Sequence, residues 1–440
     1  MTRAPLTERA VPEDLGAAAA WLRETTAAGE AELAGLPDRP DRGPDRQLVA
    51  ERVHRSCRTA RWRFLRAHAA AVYERLTDGL RERPRITALA ARAAEEYPGL
   101  CPTAEQMAAE RRCARQADKE GREIDQALLI AALLDAETGA HLTESMRRPT
   151  DRALSLLPDF RASGRLELGA AGIERDGAAA TVTLRNPDCL NAEDDRLAAD
   201  LETAVDLALL DDAVEVGVLR GAETNHRKYA GRRVFCAGIN LTELYRGGIS
   251  MLGFLLGREL GLIAKLVRGL SGDDPDPFAA RSGEKPWVGA VDAFAIGGGM
   301  QLLFACDRVI AETDAFFRLP AAREGIVPGA ANLRIGRGFG ARESRRLLLF
   351  GESVPAGDPM ARGVCDATVE PDRMDGAIAA AAAVLASPAV RANRRMLRLA
   401  EEPEDRFRAY MADFAATQAR RVYDRDVLDN LERAWMRRAD

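Results

Sequence analysis

The sequence holds few of the groupings that announce disulfide, metal or nucleotide chemistry. Its cysteines (Cys57, Cys101, Cys113, Cys189, Cys236, Cys306 and Cys365) are scattered, odd in number and free of any Cys-x-x-Cys pair. Neither a disulfide framework nor a zinc site is expected from them. The histidines are His54, His68, His141 and His226, none of them beside a second ligand at metal-binding spacing. No metal is therefore expected. No Gly-x-Gly-x-x-Gly follows a strand in a dinucleotide unit, so flavin has no support. The spaced glycines of residues 334–340 (RIGRGFG) read as part of a turn region. No run reaches the ~20 apolar residues of a bilayer span. Residues 1–14 carry no apolar signal region. Together these absences predict a soluble, cytoplasmic protein that makes no membrane contact. The net charge of −5 argues against a nucleic-acid partner.

What is present is a long chain able to bury a real core. It has 440 residues, 47% of them apolar, room for about two or three domains. Residues 1–165 read as helical. An Ala-rich segment spans residues 13–36 and a Pro/Asp/Arg linker follows at residues 37–46. Val49, Val53, Cys57, Phe64, Leu65, Val72 and Leu76 then recur at helical period. A further helix is expected over residues 124–146. From Leu166 the pattern changes. Residues 165–168, 179–184, 214–219, 287–294 and 307–310 read as strands, and residues 195–209, 255–270 and 300–305 as helices. Strands alternating with helices predict an α/β core over residues 166–373. A helical region closes the chain over residues 374–440.

Two glycine-containing loops stand out, residues 234–241 (VFCAGINL) and 294–301 (FAIGGGMQ). Each follows an expected strand and opens an expected helix. Glycine lets backbone N–H groups approach a ligand closely. N–H groups at helix starts lack intrahelical partners and favour negative charge. Two such loops facing each other would give one oxyanion a pair of donors. A glycine triplet alone is more often a tight turn or a packing point. Here it is joined by residues 317–320 (FRLP) and 325–329 (GIVPG), in order, and by the stretch 356–364.

The series resembles the crotonase (enoyl-CoA hydratase/isomerase) superfamily, over about residues 166–400. The resemblance implies a spiral of ββα units, joined here to the all-helical N-terminal domain and the C-terminal helices read from the residues. Residues 374–440 would cap or trimerise it, as a homotrimer or dimer of trimers. It also implies an acyl-CoA thioester held with its enolate oxygen between the amides of Ile239 and Gly298. One preorganised donor of this kind is worth roughly 3–4 kcal/mol in a transition state.

Two departures are informative. The first hydratase carboxylate aligns with Gln301 and the second with Ala321, and neither side chain can serve as a general base. Hydration of an enoyl-CoA is not expected. The N-terminal extension, with Gln301 and the 236–245 segment, resembles the family's cofactor-free dioxygenases of glycopeptide-antibiotic pathways. The implied reaction takes 3,5-dihydroxyphenylacetyl-CoA and O2 to 3,5-dihydroxyphenylglyoxylate and CoA, with no metal or organic cofactor. A crotonase-type thioesterase without O2 chemistry and a non-catalytic CoA-binding scaffold remain the alternatives.

By the same resemblance, Glu193 lies in the acyl pocket, contacts a ring hydroxyl and assists proton movement. The bland alternative is a helix-start carboxylate favoured by the macrodipole. Arg258 stands in an apolar stretch, where a buried charge must find a partner; the family match sends it to the substrate. Gln301 would orient the substrate or a peroxide. Ile326 and the Ile239 side chain would border a dry O2 pocket. His226, Tyr229 and Arg233 suit CoA phosphates and adenine, with Ala237, Gly238, Asn240 and Gly299 completing the binding loops.

Overall fold

The computed structural model describes residues 10–272 and 283–439; the start of the segment read as lacking a signal region lies outside them. Two compact units emerge. Within the described residues, one runs up to Met146 and adds Tyr245–Leu252 and Arg408–Leu428; the other takes Arg147–Leu244, Gly253–Phe407 and the last residues from Asp429. No single described helix is long and apolar enough to cross a membrane.

The first unit is helical, with Leu15–Ala34, Pro44–Leu76, Ile86–Glu96, Ala104–Arg112, Glu123–Asp135 and Gly139–Met146 as its N-terminal elements. Asp14 caps the first by accepting from the Ala17 N–H at 2.8 Å. Pro44 opens the second, where a missing N–H costs nothing. That helix buries Val53, Cys57, Phe64, Leu65, Val72 and Leu76, the periodic set seen in the sequence. The single helix expected over residues 124–146 is two. The chain turns extended at Ala136 (φ −63°, ψ 160°), and a side chain at Gly139 would lie 2.3 Å from the Leu134 carbonyl oxygen.

The second unit carries the strands: β1 (Arg165–Glu167), β2 (Ala171–Asp176), β3 (Ala179–Leu184), β4 (Val216–Gly221), β5 (Trp287–Val291), β6 (Phe294–Ile296), β7 (Arg308–Glu312), β8 (Phe316–Arg318), β9 (Ser353–Pro355) and β10 (Ala367–Val369). The large sheet has the order β1-β2-β3-β4-β5-β7-β10 and the small one β6-β8-β9. From β3 to β10 the large sheet is parallel. Its central β5 is buried at every position, as a strand covered on both faces must be. The stretch expected as one strand over residues 287–294 is divided. Asp292 turns its carboxylate to Arg220 at the break, and β6 enters the other sheet. β7 and β8 repeat the division, so these two successive units each give one strand to each sheet. This is the spiral expected from the sequence.

Other boundaries differ from expectation. Helix Asp151–Ser163 groups with the second unit because Ala153 and Phe160 enter its core. Residues 408–428, expected in a separate C-terminal region, group with the first unit. The turn region at residues 334–340 is helical, within Ala331–Phe350, and only Gly340 leaves helical geometry (φ 63°, ψ 178°).

A buried carboxylate ties three helices of this unit together. Glu402 accepts from Arg334 (2.9 Å), Arg337 (2.8 Å) and Arg268 (2.8 Å). Burial pushes its pKa up, but Arg334, Arg268 and Arg337 outweigh burial and hold it down, from 4.5 to about 2. Its stabilisation is therefore complete above pH 4.5 and is lost as pH falls towards 2. Glu402→Gln should cost about 3–5 kcal/mol near neutrality by leaving arginines unpaired. In urea melts across pH, the difference from the parent should shrink only below the ordinary carboxylate range. A difference independent of pH would refute the assignment.

Candidate active site

The two glycine loops lie against each other. The first is stitched to β6 by a Cys236–Ala295 bridge and the Ile296 N–H donating to the Cys236 carbonyl at 2.9 Å. On its other side it pairs with residue 193: the Glu193 N–H donates to Gly238 O and the Asn240 N–H to Glu193 O, both at 2.7 Å. Ile239 lies opposite Glu193 in this bridge, and its own N–H is left out of the pairing. Gly298 begins helix Gly298–Leu303, where an N–H has no intrahelical partner. Among the described residues, neither amide donates to a protein acceptor.

Gly238 has φ 88° and lies so close to the second loop that a Cβ there would be 3.4 Å from the Gly298 nitrogen. The loop entrance is held from below by Asn191, itself at φ 53°. Its buried amide donates to Ala222 O (2.9 Å) and Val234 O (2.7 Å). Left-handed backbone at a non-glycine residue costs on the order of 1–3 kcal/mol and persists where surroundings fix it.

Arg258 is the centre of the side-chain arrangement. It lies on a helix whose Met251–Leu256 and Arg258–Ile263 stretches are π-helical. A helix was expected there, but not this wider winding, which often marks functional sites. All five guanidinium N–H positions are used. Nε donates to Glu193 Oε1 (2.7 Å) and Nη2 to Glu193 Oε2 (3.0 Å) and Gly298 O (2.8 Å). Nη1 donates to Glu259 Oε1 (2.9 Å) and Gln301 Oε1 (3.0 Å). The three charged side chains are buried, 4%, 1% and 3% exposed for Arg258, Glu193 and Glu259. Burial works against the guanidinium's charge, but Glu193 and Glu259 prevail and raise its pKa further.

The structure thus brings Glu193, Gly238, Ile239, Arg258, Gly298, Gly299 and Gln301 together. Glu193 is not the helix cap. That role belongs to Asp194, which accepts from the Leu197 N–H at 2.9 Å, while Glu193 turns to Arg258. Gly299 packs on Cys236, whose thiol is pushed well above its ordinary pKa by burial and then by Glu193. Asn240 accepts from the Thr242 and Glu243 N–H groups, so it caps the short helix Leu241–Tyr245. Ala237 donates its N–H to Leu190 O.

The basic segment is uneven. His226 is exposed, and Tyr229 sits edge-on to Phe294 with centroids 5.1 Å apart. Arg233 donates to Gly221 O at 3.2 Å. Arg232 is committed to Asp314 and Glu312. Ile326 is half-buried after the left-handed Gly325. No described bond ties it to Arg258. The other histidines have local partners: His54 meets Glu120, His68 meets Pro12 O and His141 meets Tyr73.

Glu259 is the residue that sequence reasoning passed over. It holds Arg258 with one oxygen and accepts the Ala330 N–H with the other at 3.0 Å. Gly329 is obligatory beside it, since a Cβ there would be 2.1 Å from Glu259 Oε1. The signal was present: Glu259 interrupts the same apolar run as Arg258.

Gly298→Ala would put a methyl 1.8 Å from Glu193 Oε2. The ion pair must shift. Thioester turnover should fall by about a hundredfold with the far-UV circular dichroism unchanged. Full activity in a folded variant would show that the pair and the amide do not share a site.

The enoyl-CoA hydratase/isomerase family model matches residues 272–418. The chain is 52% identical over 397 residues to "(3,5-dihydroxyphenyl)acetyl-CoA 1,2-dioxygenase" of Amycolatopsis orientalis, covering 90% of this chain and 91% of the relative. It is 27% identical over 211 residues to the short-chain-enoyl-CoA hydratase of Clostridium acetobutylicum, covering 48% of this chain and 72% of that one. An enoyl-CoA hydratase structure from Bacillus halodurans superposes on 60% of this chain and all of its own, with TM-score 0.50 and 19% identity. That last likeness concerns the fold alone. A match this extensive to a full-length relative, on a spiral of ββα units, makes the chain a member of the enoyl-CoA hydratase/isomerase (crotonase) family.

Proposed function

We propose that this protein is a dioxygenase that converts 3,5-dihydroxyphenylacetyl-CoA and O2 to 3,5-dihydroxyphenylglyoxylate and CoA without metal or organic cofactor. The observation that carries the reading is 52% identity to the Amycolatopsis orientalis dioxygenase over 90% of the chain, helical extension included. The site supports it. Ala321 is a buried alanine, and Gln301 is neutral, so the hydratase pair of carboxylates is missing from both its positions.

The substrate is an acyl-CoA thioester, with its oxygen set between the Ile239 and Gly298 amides. Loss of the α-proton puts an electron pair on that oxygen and into the aryl ring. Stabilisation where the charge develops lowers the barrier. The electron-rich enolate supplies the electrons that reduce O2, and the α-carbon peroxide attacks the thioester carbonyl. CoA leaves as thiol; the remaining α-hydrogen is then lost as a proton, its electron pair forming the ketone C=O as the O–O bond breaks to release the carboxylate. Both O2 atoms are retained in the product. Glu193 and Arg258 face the acyl group and the oxygenated intermediate, Gln301 orients it, and Ile239 and Ile326 border the O2 pocket. His226, Tyr229 and Arg233 hold the CoA end. A cytoplasmic homotrimer or dimer of trimers, closed by the C-terminal helices, and a place in glycopeptide-antibiotic assembly complete the proposal.

Anaerobic and aerobic incubation with the thioester tests it. Thiol release should require O2 and match its consumption one to one. Thiol release without oxygen uptake would make the protein a thioesterase. Gln301→Glu is expected to lower turnover about tenfold or more, because a third carboxylate would then compete for one guanidinium. Unimpaired oxygenation by that variant would remove Gln301 from the mechanism.

A further inference from the structure

The segment Tyr245–Leu252 lies in the chain between the two parts of the site: Ile239 comes six residues before it and Arg258 six after it. It nevertheless belongs to the helical unit. Two residues of that unit grip it. Lys119 donates its ammonium to the Gly247 carbonyl at 2.8 Å, and Glu123 Oε1 accepts the Met251 N–H at 3.0 Å. Both side chains are buried. Tyr423 fixes the second Glu123 oxygen, donating its hydroxyl at 2.7 Å, and Lys119 stands 3.6 Å from the same oxygen. Gly247 (φ 70°) admits this approach, since a Cβ would lie 2.7 Å from the Lys119 side chain.

Met251 is the first residue of the π-helical stretch that leads to Arg258. Its N–H is an orphan donor, and a carboxylate at a helix start gives a charge-assisted bond that the macrodipole strengthens. We propose that Glu123 is a positioning residue: by capping Met251 it sets where the π-helix begins, and so where Arg258 arrives against Glu193, Gln301 and Gly298. The helical extension then has a chemical task of its own. The cap concerns Arg258 placement whatever the reaction, while its effect on turnover rests on the dioxygenase reading.

The test uses the full chain with Glu123→Ala, Glu123→Gln and Lys119→Met. Hydrogen exchange should accelerate about fivefold or more in peptides covering residues 253–263 of Glu123→Ala. Exchange in helix Leu15–Ala34 should not change. Turnover of 3,5-dihydroxyphenylacetyl-CoA should fall about tenfold through kcat, with KM held. Glu123→Gln, which keeps an acceptor for Met251, should restore most of it. Lys119→Met, which preserves bulk, should give a smaller loss of the same kind. In an Arg258→Lys background, Glu123→Ala should add little. Unchanged exchange over residues 253–263, or losses that simply multiply with Arg258→Lys, would overturn the proposal. Faster exchange in a protein whose parent does not consume O2 would uphold the cap and count against the dioxygenase reading instead.

Discussion

The site depends on one buried guanidinium having an acceptor for every hydrogen. Isolated, a charge at that depth would cost several kcal/mol. Arg258 avoids that cost through three side chains and one carbonyl, drawn from three local segments. Glu193 comes from the turn before helix Asp195–Leu210, Gln301 and Gly298 from the second glycine loop, and Glu259 from the arginine's own helix. The guanidinium therefore records the relative placement of these segments. Losing one acceptor leaves at least one hydrogen unpaired in the interior, which the remaining three groups cannot absorb.

The same cluster bears on why a glutamine stands at position 301. Glu193 and Glu259 already place two negative charges on one positive. A glutamate at position 301 would make a third in the same volume, and like charges at such distances do not all remain ionised. A glutamine keeps the acceptor and drops the charge. A neutral side chain at position 301 is what the electrostatics of this arginine favour.

Much of this was legible. The α/β core, most of its parallel strands and both glycine loops follow from local pattern and motif order, whereas the pairing of Ile239 with Gly298 is what the family resemblance implies. β2, β8, β9 and β10 were not seen; β8, β9 and β10 are three residues each and owe their pairing to distant neighbours. The split of residues 287–294 was hidden because a buried strand and its continuation into a second sheet have the same apolar composition. The π-helical winding leaves no periodic signal that differs from an ordinary helix over so short a span. Glu193 and Arg258 were each singled out, but their bond was not, since 65 residues separate them. The helical unit's hold on residues 245–252 was equally invisible, because it rests on Glu123 and Lys119, charged residues whose burial no local pattern shows.

A full set of acceptors also limits what a ligand gains from this arginine. A phenolic hydroxyl that reaches the guanidinium must take over a hydrogen already shared, and the half-exposed amide of Gln301 yields more readily than the buried carboxylates. The exchange swaps one neutral acceptor for another, so ground-state affinity changes little. The gain comes when the incoming oxygen acquires charge, because an anion holds that hydrogen more tightly than an amide does. On the proposed reading, Arg258 would thus bind an oxygen that becomes anionic more tightly than a neutral one, more than it would tell one ring from another.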